Sequence, residues 1–194
     1  SSRISDSVIS SIASDAPNAK MLRGIVHDPT ARRMGGAAGH AGLFSTATDL
    51  AIYARMLLRG GEVNGTRVLA PLTVAKMTGP ASPPGHRNQR GLGWDIDSTF
   101  SANRGELLPL GSFGHTGFTG TSIWIDPLTR IYIVFLSNRV HPDGKGDVTP
   151  LRARIATLVA AAFTDLPPAA TETVRMTGND FGPSGLAAVG TSSH

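Results

Sequence analysis

The order of apolar and polar positions divides the chain into an Ala- and Ser-rich start, one strong helix, a block of strands and a closing helix. Residues 46–59 hold the clearest helical period, with Leu50, Tyr53, Ala54, Leu57 and Leu58 on one face. Thr46-Ala-Thr-Asp49 reads as a capping box, in which each side chain satisfies the other's backbone N–H, and Gly60-Gly61 ends the helix. Asn64-Gly65 predicts a tight hairpin between Glu62-Val63 and Arg67-Val-Leu69, and Pro71 opens a short helix to Met77. Three runs pattern as strands: Gly91–Ile96, His115–Asp126 and Ile131–Ser137. The last two join antiparallel through Pro127-Leu-Thr-Arg130. Ile131-Tyr-Ile-Val-Phe-Leu136 is apolar on both faces, which predicts a central strand covered on both sides. Thr149-Pro150 caps a final helix from Leu151 to about Phe163, whose Leu151, Ile155, Leu158, Val159 and Ala162 form the face turned to the sheet.

The connections are as informative as the elements. Residues 1–23 have weak periodicity and room for one short helix near Asp6–Ala13. An irregular loop runs from Gly24 to Gly42, where Gly35, Gly36, Gly39 and Gly42 oppose both helix and strand. Residues 78–90 form another loop. After Leu166 the pattern dissolves into Pro, Ala, Thr, Gly and Ser, so 1–165 reads as the folded portion and 166–194 as a linker or disordered tail. The fold class is α+β, an antiparallel sheet flanked by helices.

Composition narrows the function classes. At 194 residues and 40% hydrophobic, the chain suits one domain with a real core. Charged residues are only 16%, and the net charge of +4 is dispersed over Arg23, Arg32, Arg33, Arg87 and Arg90 without a basic run. That distribution argues against nucleic-acid binding. There are no cysteines, so disulfides and thiol chemistry are excluded. No apolar run reaches the ~18 residues of a membrane span. None of the six histidines has His-x-His or His-x-x-x-His spacing, and no metal or organic cofactor is implied.

The chemistry concentrates in Gly114-His115-Thr116-Gly117-Phe118, which follows a Gly-containing loop and leads into the strand pattern Thr121–Asp126. On a strand His115 and Gly117 face one side and Thr116 the other, and the glycine lets a ligand or another backbone approach closely. Taken alone, the stretch also fits a Gly-punctuated hairpin with an incidental histidine.

Two further stretches accompany it in order: Gly36-Ala-Ala-Gly-His-Ala-Gly-Leu-Phe-Ser-Thr-Ala-Thr-Asp-Leu50 and Gly91-Leu-Gly-Trp-Asp-Ile96. With Ser122-Ile-Trp-Ile-Asp-Pro127 and Ile133-Val-Phe-Leu-Ser-Asn138, they make residues 24–165 resemble the C-terminal part of the serine β-lactamase-like superfamily. That group contains class C β-lactamases, D-alanyl-D-alanine peptidases and related esterases. Val26-His-Asp-Pro-Thr-Ala-Arg-Arg-Met-Gly-Gly36 is similar to β-lactamase-like domains of bacterial cell-wall proteins, and Val174-Arg-Met-Thr-Gly178 faintly resembles a junction to a second domain. The resemblance implies a partial β-lactamase/transpeptidase-like fold lacking its N-terminal portion, and a periplasmic or secreted location. It implies that His115, Thr116, Gly117 and Phe118 bind a small acyl substrate (ester, amide or β-lactam type), with the Phe118 N–H as one of two oxyanion donors. His in place of the family's usual Lys leans towards esterase or peptidase.

The nucleophile that the family uses, a Ser in Ser-x-x-Lys helped by Tyr-x-Asn, is not in the sequence. Three residues before Lys20, Lys76 and Lys145 stand Pro17, Thr73 and Pro142, and neither Tyr53 nor Tyr132 has Asn two positions on. These motifs are expected upstream of Ser1. Thr73-Val-Ala-Lys76 has the spacing but lies downstream of where the motif belongs. A self-contained triad of Ser112, Ser122 or Thr116 with His115 and Asp95, Asp97 or Asp126 stays open, as does a His27–Asp28 pair acting as base and orienting group. His40 could border the cleft, while Trp94 and Trp124 read as packing residues. The two functional classes are therefore a fragment of a serine acyl hydrolase and a non-catalytic binding or complementation module, the latter predicting self-association or pairing with another chain.

Overall fold

The computed structural model describes residues 22–175. The helix expected near Asp6–Ala13 and the final segment 176–194 lie outside the described residues. The loop expected over 24–42 is interrupted by a short helix, α1 (Pro29–Arg33), because Asp28 caps it: its carboxylate accepts from the Ala31 N–H at 2.7 Å and Pro29 sits at the first turn. Helix α2 (Ala47–Leu58) starts as its pattern predicts, with Thr46 Oγ1 accepting from the Asp49 N–H at 3.1 Å. Its buried side is Ala54, Met56 and Leu57, while Tyr53 stays partly exposed. A two-stranded hairpin follows, β1 (Glu62–Val63) and β2 (Thr66–Arg67), turning at Asn64 and Gly65 with φ of 49° and 75°. Helix α3 (Pro71–Thr78) then begins at its proline.

The main sheet has five antiparallel strands in the order β3 (Gln89–Arg90), β4 (Asp95–Asp97), β5 (Phe113–Thr116), β6 (Ser122–Asp126) and β7 (Ile131–Phe135). The single run expected over His115–Asp126 is two strands, because the chain reverses between Gly117 and Thr121. The Gly117 N–H donates to the Thr121 carbonyl at 2.7 Å, and Gly120 has φ of 124°, open to glycine and strained for other residues. A Cβ at Gly120 would lie 2.7 Å from Ser137 Oγ. The end of the loop expected over 78–90 becomes β3. The strand expected to be central, β7, pairs only with β6 among the described residues, and most of its positions are half-buried. Its apolar run is accounted for by α2 and the last long helix packing near it rather than by a second strand neighbour.

Alternation along β6 splits the core between two faces. Ile125 joins Phe113, Ile96 and Trp94 under α2, whereas Trp124 joins Leu108 and Ile131 under helix α4 (Thr149–Ala161). Full burial of one such side chain contributes about 1.5–3 kcal/mol. The face of α4 differs from the expected one: Arg152, Ala156 and Ala160 are buried, while Leu151 and Leu158 are exposed. Small residues let α4 approach the sheet closely, and the Arg152 guanidinium takes up backbone carbonyls there. Part of the segment read as linker is structured. Helix α5 (Pro168–Arg175) buries Ala170 and Thr173 and lines, with Leu108, Pro109, Ile131 and Ala160, a small apolar cavity of about 160 Å³. Among the described residues no helix is long and apolar enough to cross a membrane.

Candidate functional site

His115 lies on β5 opposite Ile123 of β6, with its ring exposed. Nδ1 is 2.8 Å from the Thr116 carbonyl and Nε2 is 3.2 Å from Nη2 of Arg90. A carbonyl only accepts and a guanidinium only donates, so the tautomer with its proton on Nδ1 meets both contacts. Arg90 is itself anchored: its Nη1 sits 2.6 Å from Oδ1 of Asp95, a carboxylate only 1% exposed that also accepts from Ser98 Oγ at 2.8 Å. The pairing of β3 with β4 places Arg90 beside Asp95, and the pairing of β4 with β5 brings Asp95 opposite Gly114. Gly114 is required at that point, since a Cβ there would run into the ring of Trp124 and the Ile123 carbonyl.

Beyond Thr116 the turn Gly117–Thr121 is held from behind at every carbonyl. Gly117 O accepts from Arg152 Nη2 at 3.0 Å and from the Gly120 N–H at 3.1 Å. Phe118 O accepts from Arg139 Nε at 2.5 Å, Thr119 O from the Arg139 N–H at 2.9 Å, and Gly120 O from Ser137 Oγ at 2.7 Å. Thr121 O accepts from Gly117 N and, at 2.9 Å, from Arg152 Nη2. No backbone acceptor among the described residues takes the Phe118 N–H. The Phe118 ring is 69% exposed, lies 4.2 Å beneath the Arg139 guanidinium and stacks on buried His27 with centroids 5.6 Å apart. Burial, then the nearby Arg139, draws Arg152 below the ordinary arginine range, with Asp147 acting in the opposite sense. Arg152 nonetheless stays a cation at neutral pH.

The other residues singled out in the sequence are placed elsewhere. Asp28 bonds His40 Nε2 at 3.0 Å rather than serving His27, and the Ala31 N–H first, then His40, lowers its carboxyl below the usual range. His40 therefore links two loop segments. No triad forms at His115: Asp95 faces Arg90 and Ser98, Asp97 faces Arg104, and Asp126 accepts from Thr129 and Leu128. Ser112 is fully buried and Ser122 nearly so, out of reach of a substrate. Thr73 and Lys76 are exposed on α3, and Trp94 and Trp124 are core. Arg90, Arg139 and Arg152 went unnoticed in the sequence as site residues. Isolated arginines carry no spacing signal, and only the strand order and the helix phase bring them to β5.

Two curated Salmonella proteins, from S. gallinarum and S. newport, are provisionally named D-alanyl-D-alanine carboxypeptidases and are each 41% identical to this chain over 123 residues. The match takes in 62% of this chain and spans 28% of the length of those relatives. A solved β-lactamase from Mycobacterium bovis is 30% identical, with a TM-score of 0.49 covering 62% of this chain and 45% of that one. A family model described as Beta-lactamase matches residues 7–158, a span that runs from before α1 through the His-Thr-Gly strand and most of α4. With the greater part of its length inside that match, the chain belongs to the β-lactamase family.

Proposed function

We propose that the chain forms the substrate-binding wall of a serine acyl hydrolase of the esterase or D-alanyl-D-alanine peptidase type. His115 and Thr116 contact the acyl substrate, Gly117 keeps the strand end open, and the Phe118 N–H donates to the developing oxyanion. The observation that carries this reading is the turn 117–121, whose carbonyls are all engaged while the Phe118 N–H is not taken by a backbone acceptor. Removing one preorganised oxyanion donor typically costs about 2.7–4 kcal/mol of barrier. The names of the Salmonella relatives support a peptidase-type substrate.

The missing Ser-x-x-Lys favours a second reading, a module that binds a ligand or partner without turnover. Hydrolysis of p-nitrophenyl acetate and a chromogenic cephalosporin by this chain, with mass spectrometry after a fluorophosphonate probe, separates the two. A stoichiometric adduct with turnover that falls in His115→Ala supports catalysis by the chain itself. No adduct, together with saturable D-Ala-D-Ala binding that is lost in His115→Ala, supports the binding wall alone. Activity and binding both indifferent to His115→Ala remove the strand from the site.

A further inference from the structure

We propose that Arg152 is the positioning residue for the Phe118 donor: its guanidinium polarises the Gly117–Phe118 peptide from the carbonyl end and so strengthens the N–H at the other end. The inference rests on the reading of Phe118 as an oxyanion donor. The carbonyl of Gly117 and the N–H of Phe118 belong to one peptide unit. Arg152 Nη2 bonds that carbonyl at 3.0 Å and, through the same nitrogen, the Thr121 carbonyl at 2.9 Å. The two acceptors are the two ends of the turn, so one buried cation both closes it and sets its orientation.

The charge is well placed for this role. Arg152 is 7% exposed, and no salt bridge involves it among the described residues. Its other side-chain contact is a long one, Nη1 to Asn103 Oδ1 at 3.4 Å. Its charge is therefore directed mainly at two peptide carbonyls. A cation at a carbonyl oxygen draws electron density along the amide, and hydrogen bonds in series strengthen one another in a low-dielectric setting. The peptide dipole then points from the guanidinium at its negative end to an N–H at its positive end, the orientation that favours negative charge at that N–H. Arg139 addresses a different peptide, since Phe118 O belongs to the unit that ends in the Thr119 N–H. The two arginines thus act on neighbouring amides, and only Arg152 acts on the proposed donor.

NMR on the isotope-labelled chain tests this by reading the Gly117 carbonyl carbon, the Phe118 amide and amide hydrogen exchange along β6. Arg152→Met is expected to move the Gly117 carbonyl and Phe118 amide upfield and to slow Phe118 exchange, because the less polarised N–H is less acidic, with β6 core amides unchanged. Arg152→Lys, which keeps the charge but not the fork, should recover part of the shift. Arg139→Met should move the Thr119 amide and leave the Gly117 carbonyl in place. Should Arg152→Met fold too poorly, Arg152→Gln carries the same readout. A folded variant lacking the guanidinium whose Gly117 carbonyl and Phe118 amide do not move overturns the proposal, as does a change spread evenly over the sheet. Failure of the donor reading is distinct: the shifts would occur as described while p-nitrophenyl acetate turnover and D-Ala-D-Ala binding stay the same in Arg152→Met.

Discussion

Nη2 of Arg90 lies 3.2 Å from Nε2 of His115, and the same guanidinium is fixed through Nη1 to the buried carboxylate of Asp95. The exposed imidazole on β5 is therefore oriented by a carboxylate it never touches. Arg90→Met would leave Asp95 buried with only Ser98 to donate to it. Because Arg90 is 38% exposed, the expected loss falls between the values for exposed and buried pairs, about 2–3 kcal/mol. Urea denaturation reads it directly. The double variant Arg90→Met/Asp95→Asn should regain most of that stability, since no unpaired charge remains. A single variant as stable as the parent would mean that Asp95 has another partner.

Asp28 predicts a pH dependence with a definite sign. Its folded-state carboxyl is lowered, first by the Ala31 N–H and then by His40. A depressed carboxyl contributes stability that is fully present above its unfolded value, about 3.9, and is lost as pH falls through the lower folded value. The melting-temperature difference between the parent and Asp28→Asn should thus be at its full size at neutral pH and shrink below about pH 4. Thermal scans between neutral pH and pH 2.5 check this. A difference that grew on acidification would contradict the assignment.

Gly114→Ala isolates the contact between β5 and the core. The added methyl would meet the ring of Trp124, itself 1% exposed, and the Ile123 carbonyl. Neither is the far end of a flexible chain, so the strand pair must separate, at a cost of about 1–3 kcal/mol. Chemical denaturation gives the loss, and the near-ultraviolet dichroism of the tryptophans should change with it. Unchanged stability would show that β5 and β6 can part without penalty.

How much of this could be read from the residues depended on whether the signal was local. Thr46, Asn64-Gly65 and Pro71 act on their own neighbours, and α2, the small hairpin and α3 formed where those residues predicted. The family resemblance rested on ordered motifs, and the family match supports it. The residues leave the stretch around Gly117 open between one run over His115–Asp126 and a Gly-punctuated hairpin, and the bonds from Ser137 and the two arginines decide for the turn. The phase of α4 was misjudged for a related reason. Leu151 and Leu158 are better apolar residues than Arg152, yet the turn places two carbonyls in front of Arg152, and an apolar side chain there would cost each of them its second hydrogen bond. The cluster around His115 was invisible because Arg90 and His115 are 25 positions apart and meet only through the strand order β3-β4-β5.

That same rotation of α4 leaves Leu151 and Leu158 exposed by 49% and 61%, two turns apart on one side of the helix. In the sheet on which α4 packs, β7 offers a strand edge with no neighbour among the described residues, and Leu136 just past it is 46% exposed. Unpaired strand edges and exposed apolar stripes are features that natural proteins usually cover. The self-association expected of a binding module would put a second copy of the chain there, through a self-complementary contact of the kind that closes two-fold dimers. Light scattering should then give a mass above the 20.2 kDa of the single chain, rising with concentration. Leu158→Lys, at an exposed position that leaves the core intact, should return the monomer without lowering the melting temperature. A single-chain mass held throughout a concentration series up to the millimolar range would rule the contact out.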